Sequence, residues 1–192
     1  MALKWLNPQA VQTAAKGNKG MTNFVVCAHS GVGKSYLANK LIESTKRDVC
    51  GFFTRKFPEL CDENDGLCPI YIYPAGGSPV FDEDHLIGLG GEGTHYTNVE
   101  VFNSVGVDLI TSDNPNALII MDEIGFLEAQ AEKFQAKVIE CLTGNIPTVV
   151  FLKEKMQVEF IKKLSTLAGT EFIYLTESNR DEVFERILSE IS

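Results

Sequence analysis

The stretch VVCAHSGVGKSYLANKL, Val25 to Leu41, sets an apolar run, a glycine-rich octet closing on Gly-Lys-Ser, and an amphipathic run back to back. The apolar run, from Asn23 to Cys27, predicts a short buried strand. Lys34 to Glu43 predicts a helix, with Leu37, Ala38, Leu41 and Ile42 on one face. Strand, glycine turn and helix are the setting a phosphate loop requires. The octet Ala28-His29-Ser30-Gly31-Val32-Gly33-Lys34-Ser35 meets that pattern except that Ala28 replaces the usual first glycine. A methyl group there is tolerated where φ stays negative and strained where it does not. Gly31 and Gly33 let successive N–H groups turn inward, and the helix adds its N-terminal partial charge at the same point. The expected anion cup is His29, Ser30, Gly31, Val32, Gly33, Lys34 and Ser35. Lys34 would reach the β and γ phosphates, and the Ser35 hydroxyl would take one position on Mg²⁺. The competing reading is an accidental Gly-Lys-Ser in a surface turn.

Outward from this unit, strands and helices alternate. DVCGFFT, Asp48 to Thr54, reads as a second buried strand. CPIYIYP and SPVFD read as short β pieces among Gly, Pro and Asp clusters, an inserted hairpin region or lid around 56–96. Thr97 three positions before Glu100 has the form of a capping box, opening a helix with Val101, Phe102, Val105 and Leu109. ALIIMDE is a continuous apolar strand running into two carboxylates, followed by a helix carrying Leu127, Phe134, Val138 and Leu142. PTVVFL is a strand, Met156 to Leu167 a helix, FIYLT the last strand, and Ser178 with Asp181 caps a closing helix with Val183, Ile187 and Ile191. Such alternation predicts an α/β fold in three layers, a mostly parallel sheet covered on both faces, with the ligand beyond the carboxyl ends of its strands. The expected organisation is an N-terminal extension, 1–20, and one domain over 21–192.

LIIMDE, Leu118 to Glu123, supplies the acidic half of the expected site. Asp122 would hold Mg²⁺ opposite Ser35, and Glu123 would orient and deprotonate a water for in-line attack on the γ phosphate. A solvated strand-to-helix turn is the bland alternative. Adjacent Asp and Glu resemble the P-loop group in which an additional strand separates the loop strand from the acidic one, and in that arrangement PTVVFLKEK is the intervening strand. Lys153 is then either a sensor of the γ phosphate or, with Glu154 and Lys155, part of a solvated loop.

Charge and composition exclude several classes. Against 17 basic side chains stand 26 acidic ones, a formal charge of −9 over 192 residues, which repels polyanions and argues against nucleic acid as a partner. No apolar run approaches the length of a membrane span, and the first twenty residues do not read as a signal peptide, so the cytoplasm is expected. Nothing in the sequence names a protein partner or an oligomeric state. Trp5, Leu6, Val11 and Ala15 form either a weak docking face or a frayed terminus. Five cysteines, an odd number, favour reduced thiols, with Cys27, Cys50 and Cys141 as small buried side chains. Cys61 and Cys68 with His85 and His95 match no standard zinc spacing.

Four landmarks in order, SGVGKS, GFFTRKF, IIMDEIGFLE and NRDEVFERIL, resemble a known family, the small single-domain nucleoside-triphosphatases first described from thermophiles. The resemblance runs from about Phe24 to Ile191. It implies a Mg²⁺-dependent hydrolase acting on several nucleoside triphosphates, with Ser30, Gly31, Gly33, Lys34 and Ser35 in the loop and Asp122 and Glu123 as the acidic pair. The chain departs from the family at Ala28, at Phe126 where lysine is common, and in a longer 61–93 segment. Arg55 and Arg180 are candidate charge stabilisers, and for Arg180 the alternative is a helix-terminal residue pairing with a nearby carboxylate. Two rival functions share the loop: a nucleotide or small-molecule kinase with 58–95 as lid and acceptor pocket, and a nucleotide-responsive module with little turnover.

Overall fold

The computed structural model describes residues 23–91, 95–154 and 159–192. The expected N-terminal extension and the start of the helix expected from Met156 lie outside them. One eight-stranded sheet runs in the order β5-β4-β3-β2-β6-β7-β1-β8. Its parallel part is β1 (Asn23–Ala28), β2 (Asp48–Lys56), β6 (Ala117–Ile124), β7 (Thr148–Lys153) and β8 (Glu171–Tyr174). Here β7 pairs with both β1 and β6, so an additional strand does separate the loop strand from the acidic strand. The fold is the expected α/β class.

Continuous apolar strands are what a sheet covered on both faces demands. Alternation splits their side chains between two cores. Val25, Ile119, Met121, Val150 and Leu152 face α2 (99–109), α3 (Glu132–Thr143) and α4 (Glu159–Ser165), represented by Phe102, Phe134, Val138 and Leu164. Phe24, Val26, Leu118, Ile120 and Phe151 face α1 (Lys34–Ser44) and α5 (Arg180–Ile191), represented by Leu37, Leu41, Val183 and Ile187. Each fully buried side chain of this size contributes about 1.5–3 kcal/mol. The glycine of GFFT is required by this packing: Gly51 has φ 114, and a Cβ there would stand 1.9 Å from the Ile120 carbonyl oxygen.

The segment expected as a hairpin or lid is β-rich and antiparallel, as a hairpin requires, and it extends the sheet rather than covering the core. β3 (Cys68–Pro74), β4 (Leu86–Gly90) and β5 (His95–Thr97) add antiparallel to β2, one after another. SPVFD is not a strand, and the β pairing falls to LIGLG, whose Gly88 lets the Tyr96 carbonyl approach to 2.4 Å of where a Cβ would lie. The Thr97 capping box does not form, because Thr97 is still paired with Gly88 and the next amide, of Asn98, donates to the Ile87 carbonyl. α2 is Val99–Val101, a π turn Phe102–Gly106, and Val107–Leu109. From it Asn103 Oδ1 accepts the Phe134 N–H at 3.2 Å, capping α3, whose own N-cap, Ala131, has no polar side chain. Nor does Ser178 cap the last helix. Asn179 precedes it and folds back, accepting from the Thr176 N–H and donating to the Tyr174 carbonyl.

Cys61 and Cys68 correct the expectation of reduced thiols: a turn brings their Cα atoms to 3.9 Å and they form a disulfide, leaving Cys27, Cys50 and Cys141 free. Of the imagined zinc ligands, those two are thus consumed, and His85 pairs with Asp82 at 2.6 Å.

Candidate functional site

β1, β6 and β7 end side by side, and the segments that leave them converge. The loop after β1 turns through Gly31 (φ 84) and Gly33 (φ 105), both in the left-handed region that glycine alone enters freely. Ala28 escapes strain because it is the last extended residue of β1, paired with Lys153. Val32 packs partly against the α1/α5 core. His29, at the loop's outer end, meets Glu154 at 2.8 Å, and Tyr174 donates its hydroxyl to the same carboxylate at 2.7 Å. Ser30 is exposed.

Lys34 is only 6% exposed. Its Nζ donates to the Ala28 and His29 carbonyls, each at 3.1 Å, and pairs with Glu123 Oε2 at 3.1 Å. The other oxygen of Glu123 pairs with Lys153 at 3.3 Å. Lys153 is therefore part of the cluster rather than of a solvated loop. The backbone of Glu123 is held as well, its N–H donating to Thr54 Oγ1 at 3.2 Å. Beside it, Asp122 is 4% exposed and lies close enough to the Ser35 side chain for that hydroxyl to pull its carboxyl down. Its Oδ1 is buried with no hydrogen-bond partner. Burial first, and the neighbouring Glu123 charge after it, push the Asp122 carboxyl up to about 6, against the pull of Ser35 and Lys34. A buried carboxylate oxygen lacking a donor is a group that a cation would satisfy.

The two segments expected to meet thus do: Lys34 with Glu123, and Ser35 with Asp122. Arg180, in the first turn of α5, lies against the loop, its Nη1 2.7 Å from where a Cβ on Gly33 would be. The expected alternative of a carboxylate partner is not realised among the described residues. Arg55 pairs with Glu59 at 3.6 Å and caps the Phe57 ring at 4.8 Å. A cavity of about 220 Å³ opens beside Glu123, lined among others by Thr54, Lys56, Phe126, Glu128 and Lys153.

Sequence reasoning missed Glu128. It is 2% exposed, and its Oε2 accepts the Gly125 N–H at 2.9 Å, closing the turn that follows the acidic pair. Its signal was a carboxylate embedded in the apolar run IGFLEAQ. Burial drives the Glu128 carboxyl up to about 7, opposed by the N–H groups of Gly125 and Glu128 and, after a further upward push from Glu123, by Lys153. Unfolded, the group returns to its ordinary value of 4.5. The folded state therefore holds a proton the unfolded chain has released, and this contribution to stability, complete at low pH, is lost as pH rises through about 7. Glu128→Gln is expected to remove that slope and to exceed the parent in stability at pH 8 by about 2–3 kcal/mol. Urea unfolding midpoints at pH 5 and pH 8 check it.

Three comparisons bear on the site. A family model described as NTPase matches residues 23–188. The nucleoside-triphosphatase THEP1 of Aquifex aeolicus is 26% identical over 174 residues, covering 86% of this chain and 96% of its own. That of Methanocaldococcus jannaschii is 28% identical over 170 residues, covering 84% and 92%. The crystal structure of THEP1 from Aquifex aeolicus superimposes with a TM-score of 0.68 at 24% identity, over 88% of this chain and 99% of that one.

Proposed function

This chain belongs to the NTPase family, and on that premise we propose that it hydrolyses ATP, GTP and other nucleoside triphosphates to the diphosphate and inorganic phosphate, with Mg²⁺ and with Glu123 as the base. The observation that carries this reading is the convergence of Lys34 on Glu123 and of Ser35 on Asp122.

The loop N–H groups and Lys34 bind the β and γ phosphates, whose oxygens take over from the carbonyls that Lys34 now contacts. Ser35 and Asp122 fit a divalent cation, since Asp122 offers a buried oxygen without a donor. Mg²⁺, when bound there, supplies neutralisation of the phosphate oxygens. Glu123, aimed by Lys34 and Lys153 and anchored through Thr54, orients a water and takes its proton as the water oxygen attacks phosphorus. The bond between phosphorus and the β–γ bridging oxygen breaks, and the diphosphate leaves with the electron pair. Lys153 stabilises charge on the γ oxygens.

The test is phosphate release from ATP, GTP, CTP and UTP, with Mg²⁺ or with EDTA. Release from each nucleotide with Mg²⁺, falling to background with the chelator, is expected. Nucleotide consumption that begins only on adding a hydroxyl-bearing metabolite would replace this reading with a kinase.

A further inference from the structure

Tyr36 follows directly on the phosphate loop, in the first turn of α1, yet it is 57% exposed. Over its ring stands the Arg180 guanidinium, 5.7 Å from the ring centroid. The chain has four arginines, and the other three are engaged: Arg47 donates to the Ile191 carbonyl, Arg55 pairs with Glu59, and Arg186 bridges Glu171 and Glu190. Arg180 alone has neither a carboxylate nor a carbonyl partner among the described residues. An exposed aromatic ring and a cation that meets only that ring and the loop backbone at Gly33 stand together at the rim of the cup.

The sheet order says which part of a nucleotide reaches them. Asp122 and Glu123 stand on β6, two strands from β1 on the β7 side, whereas β8 and the start of α5 lie on the other side of β1. With strands about 4.8 Å apart, the acidic tip is roughly 10 Å to one side of the loop's own strand. A triphosphate whose γ end meets Lys34 and Glu123 therefore trails the opposite way, across Gly33, and carries its sugar and base out over Tyr36 and Arg180. We propose that Tyr36 and Arg180 form the nucleobase platform of this site, the ring stacking on the base and the guanidinium holding it from the β8–α5 side. This rests on the hydrolase reading of the same loop and adds which residues meet the base.

The two helices that carry the platform pack on one another. Lys40 of α1 pairs with Asp181 of α5 at 3.3 Å and sits 4.0 Å over the Phe184 ring, while Leu37, Ala38 and Leu41 share a core with Val183 and Ile187. The Thr176–Asn179 loop is likewise pre-formed by the two bonds of the Asn179 amide. Stacking uses the π face that every base possesses and reads no base edge, so this site accepts purines and pyrimidines, with the larger purine rings gaining more.

The test separates base from phosphate. Calorimetry measures the binding of ADP, GDP, CDP and inorganic pyrophosphate, each with Mg²⁺, to the parent, Tyr36→Ala, Tyr36→Phe and Arg180→Gln, with thermal midpoints as a check on folding. Tyr36→Ala is expected to weaken the nucleoside diphosphates about tenfold, purines most, and to leave pyrophosphate within about twofold, as stacking alone implies. Tyr36→Phe keeps parent affinity, and Arg180→Gln weakens the nucleosides more than pyrophosphate. Equal weakening of ADP and pyrophosphate by Tyr36→Ala, or unchanged ADP affinity, overturns the platform. Because the readout is binding, a protein that binds as expected but releases no phosphate from triphosphates contradicts the hydrolase reading and leaves the platform standing.

Discussion

Glu123→Gln is expected to lower phosphate release from ATP by about 10²–10⁴-fold while the nucleotide still binds, the loss typical of a missing general base. The amide keeps the length of the side chain, but only its oxygen can accept, so it retains one of the two lysines, Lys34 and Lys153, that stand 3.1 and 3.3 Å from the two carboxylate oxygens. It cannot take a proton from water. Removing a negative charge beside the γ-phosphate position also relieves repulsion, so the dissociation constant for ATP should hold steady or fall. Stopped-flow binding beside single-turnover hydrolysis reads both quantities. Persistence of turnover near the parent rate would place the base elsewhere, and the cavity flanked by Glu123 and Glu128 would be the first place to look.

Lys34→Ala is the second large effect, and it acts on binding. A charge-assisted hydrogen bond contributes about 1.5–3 kcal/mol, and Lys34 can offer more than one to the phosphates, so affinity for ATP should drop by about 10²-fold or more. The substitution also removes the tie between the helix and the loop carbonyls of Ala28 and His29 and leaves Glu123 with Lys153 alone. Loop geometry and charge therefore fail together. Titration calorimetry with ATP and Mg²⁺ shows the loss, and unchanged affinity would remove the phosphate-loop reading.

Much of this was legible because it is local. The apolar run, the glycines and the helical stripe from Phe24 to Leu41 are contiguous, and period alone identifies them. LIIMDE was legible for the same reason. That β7 lies between β1 and β6 came from the resemblance carried by the acidic pair, since no residue of PTVVFL states its neighbours. What escaped reading depends on contacts between distant segments. LIGLG has two glycines and no alternation, and it is a strand only because β3 and β5 flank it. Thr97 looked like a cap because its spacing to Glu100 is right, but strand pairing holds it. Lys153 and Glu128 are polar groups whose meaning lies in what faces them. That Arg180 has no carboxylate partner among the described residues emerges only once the carboxylates around it have been located.

The position of β1 bears on how the chain acquires its shape during synthesis. As the first strand of the described chain, it is flanked by β7 and β8, which are translated more than a hundred residues later. On the ribosome its two open edges must wait for partners, exposed to chaperones and to other nascent chains, and such distant pairing is slow. Nucleotide can therefore help only late, gathering a nearly finished polypeptide rather than seeding it.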